Sequence, residues 1–262
     1  HRAEITTRDI DRGDAPHFLF KEISEAPASF RKTLRGKIVE DADGRLRVRL
    51  PDSALPPSVH RRLADGSIRH LMVVGQGTAA VAGQALSEAA RTLVGDRLFA
   101  EAVLATELSG FGMRADMSDT LVVAISQSGT TTDTNRSVDL VRQRGAAVIS
   151  IVNRRNSDLC DRSEGVLFTS DGRDVEMSVA STKAFYSQVA AGHLLALGIA
   201  SAVGTLTPER EHELLTALRA LPDAMRAVVE QRAVIAEIAP RHVLSRRSWA
   251  VVGNGPNRIA AE

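Results

Sequence analysis

Residues 120–145 read TLVVAISQSGTTTDTNRSVDLVRQRG. The first part, residues 121–125, is an unbroken apolar run rich in Val and Ile, the pattern of a strand buried on both faces of a parallel sheet. The last part has helical spacing: Thr134, Val138 and Val141 share one face, while Arg136, Asp139, Arg142 and Gln143 fall elsewhere. Arg142 and Arg144 stand where the helix dipole is negative, and Gly145 suits a left-handed stop. Between strand and helix lies Ser126-Gln127-Ser128-Gly129-Thr130-Thr131, five hydroxyl or amide side chains around one glycine. A turn that feeds a helix N-terminus offers an anion free backbone N–H groups and the positive end of the dipole. The hydroxyls add neutral donors, which suit a phosphate monoester on a small molecule. A P-loop would carry a lysine after its second glycine, and none is present. The plainer alternative is that the hydroxyls only cap the helix and fill a turn. The order of buried strand, glycine and helix favours phosphate binding.

Composition narrows the rest. The 262 residues carry 33 Lys plus Arg against 32 Asp plus Glu, a net charge of +1, so charge gives no reason to expect nucleic acid or an anionic membrane as partner. An aromatic content of 3% argues against a stacking platform for single strands. The single cysteine, Cys160, permits no intramolecular disulfide and fits a reducing cytosol; it is expected to be a small buried residue, not a nucleophile. The seven histidines are scattered, so neither a metal nor another cofactor is expected. No signal peptide is expected. Residues 190–206 are apolar but rich in small residues and contain His193, which favours a buried helix over a membrane span.

The motifs resemble those of a known family. SQSGTTTDT, from Ser126, is similar to the SQSGETADT of sugar isomerase (SIS) domains, in particular the isomerase half of glucosamine-6-phosphate synthases. Val179-Ala180-Ser181-Thr182-Lys183-Ala184-Phe185 is similar to the VASTKAF of that family, and Leu19-Phe20-Lys21-Glu22-Ile23 with Ala26-Pro27 resembles its opening helix. The resemblance runs over residues 17–262. It implies an α/β fold: a SIS-type three-layer αβα sandwich with a five-stranded, flavodoxin-like parallel sheet, followed by the start of a second repeat. It implies a phosphorylated ketose held by Thr78, Ser126, Gln127, Ser128, Gly129, Thr131, Val179, Ala180 and Ser181, with support from Gly77 and Glu176. It also implies a cytoplasmic homodimer. The family's glutaminase domain uses an N-terminal cysteine; the chain begins with His1, so that domain is expected to be absent. The family's proton-transfer residues lie beyond the position of Glu262, so no catalytic residue is assigned.

Along the chain, residues 1–17 read as a polar tail and 18–60 as opening helices and a connector, with Pro27 starting a second helical segment and residues 46–50 alternating like a short edge strand. Residues 61–206 form the first SIS domain, with strands expected over 68–74, 97–102, 120–125, 146–152 and 165–169, alternating with helices. Residues 207–240 are linker helices. Residues 241–262 begin a second copy: a strand over 249–253, then Gly253-Asn254-Gly255 echoing Gly75-Gln76-Gly77. Gly75, Gly77 and Ala80 also fit the dinucleotide fingerprint GxGxxA, with Glu101 near the end of the next strand as the ribose-binding acid. The family has CGTS at this turn; Gln76 and Ala79 replace its Cys and Ser, and the missing hydroxyl is a phosphate donor there. Glu107 falls where the family usually has an acid. Ser181 has the character of a helix cap and Lys183 of a helix-terminal surface charge. Three readings follow: a domain of an aminotransferase and ketose–aldose isomerase, a phosphosugar-sensing module, or a dinucleotide-binding domain.

Overall fold

A computed structural model of the chain describes residues 11–262; the first part of the expected tail lies outside them. The elements in order are α1 (Phe18–Leu34), β1 (Ile38–Glu40), β2 (Leu46–Val48), α2 (Pro57–Ala64), β3 (His70–Gly75), α3 (Thr78–Val94), β4 (Phe99–Leu104), α4 (Ala105–Gly110), β5 (Thr120–Ser126), α5 (Thr132–Arg142), β6 (Ala147–Val152), α6 (Asp158–Asp161), β7 (Gly165–Phe168), α7 (Lys183–Val203), α8 (Pro208–Glu230), α9 (Arg232–His242) and α10 (Pro256–Ala261). Five strands form one parallel sheet in the order β4-β3-β5-β6-β7. This is the expected flavodoxin-like order. β5 and β6 are buried at every position, as their continuous apolar runs require.

The two faces of the sheet hold separate cores. On one, Leu121, Val123, Ile125, Ile149 and Ile151 meet Leu86 and Ala90 of α3 and Leu195 and Ile199 of α7. On the other, Val122, Ala124 and Val148 meet Leu108 of α4, Val138 and Val141 of α5 and Leu159 of α6. α7 is covered again on its outer side, where Ala190, Leu194 and Leu197 pack with Phe30 and Leu34 of α1 and Leu215 and Leu218 of α8. A helix with neighbours on both sides is apolar all round. α7 is long and apolar enough to cross a membrane by length and composition, and 78% of its most apolar window is buried inside the protein.

Several expectations need correction. Pro27 sits within a continuous α1. Its ring forfeits the hydrogen bond to the preceding turn, a cost of roughly 3 kcal/mol, but Pro27 is buried and Phe30 and Leu34 tie both ends of the helix to the core. Residues 46–48 do form the expected short strand, outside the main sheet. They form an antiparallel hairpin with β1, turned at Gly44 (φ +75°) and pinned to α8 by bonds from the Val48 N–H to Glu211 (2.6 Å) and the Leu46 N–H to His212 (2.9 Å). β4 starts two residues later than expected because Gly95–Arg97 form a tight helical turn first. No strand forms over residues 249–253: among the described residues no partner strand lies beside them, and a strand without a ladder leaves its backbone to water. Trp249, Val251 and Val252 are exposed there.

The glycine echo is nonetheless present in the backbone. Gly77 (φ 59°, ψ −134°) and Gly255 (φ 55°, ψ −134°) precede α3 and α10 in the same conformation. A Cβ on Gly75 would lie 2.9 Å from the Ala79 carbonyl oxygen, and one on Gly253 would lie 2.2 Å from that of Asn257. Both turns therefore bring a chain into the helix it has just started at a spacing only glycine allows.

At the opposite end of the sheet, Asp119 joins β3 to β5. Its carboxylate accepts from Arg114 (2.6 Å) and Arg69 (3.3 Å) and faces His70 at 3.6 Å. The hydrogen bond from Arg114 above all holds its pKa well below the usual carboxylate range, against burial and with help from Thr120 and His70. A depressed folded-state value contributes stability above the unfolded pKa, near 4, which is lost as pH falls toward the folded value. Asp119→Asn should therefore lower the melting temperature at pH 7, with the gap to wild type closing as pH drops below about 4. A gap that persists unchanged at pH 2 would mean the contribution is not ionic.

Candidate functional site

β3 and β5 are hydrogen-bonded neighbours, but the helices that follow them pack on opposite faces: α3 in the core with α7, α5 in the core with α4 and α6. The chains diverge as they leave the sheet and open a crevice at the carboxyl ends of the strands, where open α/β sheets bind ligands. A cavity of about 230 Å³ occupies it. The turn after β5 lines one wall with Ser126, Gln127, Ser128 and Thr131, the turn after β3 contributes Gln76, Thr78 and Ala79, and the loop before α7 brings Glu176, Ser178, Val179 and Ser181; Ile125 and Gln188 complete the lining. A larger cavity of about 420 Å³ between α3, α7, α8 and α10 is mostly apolar, lined by residues such as Leu93, Phe185, Leu214 and Ile259, and holds little to orient a polar ligand.

The β5 turn is shaped by its own side chains. The Gly129 N–H donates to Ser126 Oγ at 3.0 Å and the Thr130 N–H to Ser128 Oγ at 3.2 Å. These two backbone donors, expected to face an anion, are thus spent inside the loop. A serine oxygen that accepts from an amide keeps its own proton for another partner; Ser128 Oγ also accepts from Thr130 Oγ1 at 3.0 Å and so has its own proton to donate to a ligand. Ser126 Oγ and Thr131 Oγ1 lie 3.2 Å apart, and Thr131 caps α5 without a side-chain bond to the first turn. Gly129 (φ +66°) is buried against Ser157: a Cβ there would fall 2.1 Å from Ser157 Oγ, so the turn closes only with glycine.

The loop before α7 is held from beneath by α1. Glu22, 1% exposed, accepts the N–H groups of Met177 (2.5 Å) and Ser178 (3.2 Å) and the Ser178 hydroxyl. Lys183 Nζ donates to Glu25 at 2.6 Å. Ser29 and Lys32 donate to Asp174 at 2.6 and 3.1 Å. Burial pushes the Asp174 pKa up, but the bond from Ser29 and the charges of Lys32 and Lys183 outweigh it and hold the carboxyl below its ordinary value. Glu22, Glu25, Ser29 and Lys32 are spaced 3, 4 and 3 residues apart, one stripe on the helix. That spacing was readable in the sequence, but nothing there named the loop it would hold.

Glu176 uses its carboxylate to cap α7: it accepts from the Thr182 N–H (2.7 Å), Thr182 Oγ1 (2.9 Å), the Ala184 N–H (3.2 Å) and Ser181 Oγ (3.1 Å). Ser181 is therefore a donor to Glu176, and the cap position belongs to Thr182. Lys183 is buried and paired, not a surface charge.

The structure gathers Thr78, Ser126, Gln127, Ser128, Thr131, Glu176, Val179 and Ser181 around one cavity. Gly77 and Gly129 shape turns beside it, and Ala180 is exposed outside it. Glu107 is exposed on α4, away from the cavity, and Cys160 is partly buried against the α5 core. Glu101 is the third residue of β4, opposite Met72, short of the strand end where a ribose-binding acid belongs. Gln188 and Ser178 line the cavity without having been singled out in the sequence. Among the described residues no group of His, Cys, Asp and Glu could hold a metal ion.

Comparison with known proteins places this geometry. The family model described as SIS domain matches residues 67–198, half of the chain. The chain is 35% identical over 233 residues to a glutamine–fructose-6-phosphate aminotransferase [isomerizing] of Leifsonia xyli, covering 87% of this chain and 35% of that protein. A protein of the same name from Mycobacterium bovis is 35% identical over 238 residues, covering 90% and 35%. The chain thus spans about a third of the length of these curated relatives. Among solved structures, the C-terminal domain of glucosamine-fructose-6-phosphate aminotransferase from Francisella tularensis superposes with a TM-score of 0.74 at 25% identity, covering 88% of this chain and 60% of that one. The tagatose-6-phosphate ketose/aldose isomerase of Escherichia coli shares the fold, with a TM-score of 0.58 at 16% identity, covering 94% and 62%.

The clamp from α1 is testable without a ligand. Glu22→Ala should raise amide exchange at Met177 and Ser178 about tenfold or more while β5 amides keep their protection, and Glu22→Gln, which retains an acceptor oxygen, should fall between. Unchanged exchange at both amides in Glu22→Ala would show that the loop does not depend on this carboxylate.

Proposed function

The chain belongs to the SIS domain family, and from that premise we propose that it is the first sugar-isomerase domain of an enzyme resembling glutamine–fructose-6-phosphate aminotransferase. Its ligand is a phosphorylated ketose such as fructose 6-phosphate. The observation that carries this reading is the wall of uncharged hydroxyl and amide donors at the start of α5, in the crevice where β3 and β5 part. The phosphoryl group sits against Ser126, Gln127, Ser128 and Thr131 with Thr78 opposite, and the sugar lies along Val179 and Ser181. With no Lys or Arg lining the cavity among the described residues, binding relies on neutral donors and the dipole of α5.

In this reading residues 61–206 form the domain, 207–240 link it to the next, and 241–262 begin a second repeat; the matching backbone at Gly77 and Gly255 supports that division. The whole enzyme, a cytoplasmic homodimer, transfers an amino group to C2 and then moves a proton from C1 to C2, a step that requires a positioned acid or base. Glu176, the one carboxylate lining the cavity among the described residues, is occupied in capping α7, so this domain supplies binding and orientation while other parts of the enzyme move the proton.

A phosphosugar-sensing role is the second reading. It is favoured by Ala79 standing where the family has a serine hydroxyl and by the absence, among the described residues, of an unoccupied acid lining the cavity.

Fructose 6-phosphate should raise the melting temperature of the chain, by an amount that reflects about 2.7 kcal/mol at a hundredfold excess over Kd, and Ser128→Ala with Thr131→Ala should abolish the shift. NAD should give none. Stabilisation by NAD alone, or a sugar-phosphate shift that survives the double substitution, would overturn the assignment.

A further inference from the structure

We propose that Gln188 is a specificity-determining residue of this cavity, recognising a sugar hydroxyl while the phosphoryl group is held by the turn after β5. The inference rests on the phosphosugar reading above. Gln188 lies in the first turns of α7, is 2% exposed, and lines the cavity together with Ile125 and Ala79. Its Oε1 is buried with no hydrogen-bond partner. A buried amide left unpaired is costly and is expected to have a partner in the working state.

The chemistry of that partner is restricted. An amide oxygen needs a donor, and a phosphoryl dianion offers acceptors only, so Gln188 cannot serve the phosphate end through this atom. If the amide is turned so that oxygen and nitrogen exchange places, the buried end becomes a donor. A hydroxyl satisfies either orientation, because it both donates and accepts. The side chains of Ala79 and Ile125, which line the same cavity, offer no competing hydrogen bond. The cavity thus has a phosphoryl wall of Ser and Thr hydroxyls and a separate amide on α7 for the carbon chain. The ligand class is a polyhydroxylated phosphate, discriminated from simple alkyl phosphates.

The test compares wild type with Gln188→Met and Gln188→Leu by phosphorus NMR titration with fructose 6-phosphate and with n-hexyl phosphate, alongside melting curves without ligand. Both substitutions fill similar space and remove the unpaired amide, so the unliganded melting temperature should hold or rise. Affinity for fructose 6-phosphate should fall about tenfold, the effect of one lost hydrogen bond, while that for n-hexyl phosphate stays within about twofold. Equal loss for both ligands, no loss for fructose 6-phosphate, or failure of both variants to fold would overturn the role of Gln188. A wild-type chain that binds neither compound would bring down the phosphosugar reading itself, an outcome distinct from a wild type that binds and a variant that binds equally well.

Discussion

The divergence of the two chains leaving β3 and β5 governs the rest of the molecule. Both strands must be buried on both faces, so each must hand over to a helix that covers one face. With β3 and β5 adjacent and α3 and α5 on opposite sides, neither helix can roof the gap between them. The strand ends there present polar backbone and side chains to an open crevice, and polarity is tolerated because solvent or ligand can reach it. The Ser/Thr turn at residues 126–131 belongs at this one place; on a covered stretch of the same sheet it would be a set of buried unpaired hydroxyls.

A crevice alone is not a site until its third wall is held. That wall belongs to the segment between β7 and α7, which opens with a tight turn at Ser170–Gly172, where Ser170 and Asp171 have left-handed backbone at φ 44° and 58°, a conformation unfavourable for residues other than glycine. Its position depends on a helix more than 140 residues earlier in sequence, as the Ser29–Asp174 separation of 145 shows. α1 presents apolar Phe30 and Leu34 to α7 and a polar stripe at 22, 25, 29 and 32 to the loop. Hydrogen bonds to buried charged groups are worth about 1.5–3 kcal/mol each, enough to keep a strained loop in one arrangement. Glu176 does the same locally, by closing the first turn of α7 in place of a serine cap.

Placement of α7 between two layers explains both its composition and its role. Gly192 admits Leu86 of α3, where an added Cβ would stand 3.2 Å from the Leu86 Cβ, and Gly198 admits Leu50. Small residues on both sides let the helix pass close to its neighbours, and its N-terminal turns reach the cavity with Ser181 just before and Gln188 just inside. The same helix is therefore a core element over most of its length and a wall of the site at its start.

Local chemistry determined a good deal here. The apolar runs of β5 and β6, the positive-φ stop at Gly145, the glycine turn at 75–77 and the hydroxyl turn at 126–131 were legible in the sequence because each depends on residues a few positions apart. The same locality misjudged what contact decides. A charge at a helix end usually lies on the surface, but Lys183 finds its partner Glu25 on α1; a proline usually breaks a helix, but tertiary packing carries α1 straight through Pro27; and residues 249–253 have the composition of a strand but, among the described residues, no neighbour to pair with. The roles of Glu22 and Gln188 are hidden in the sequence for the same reason: a carboxylate beneath a distant loop and an amide side chain lining a cavity are defined by what lies across from them, and only the folded chain brings those surfaces together.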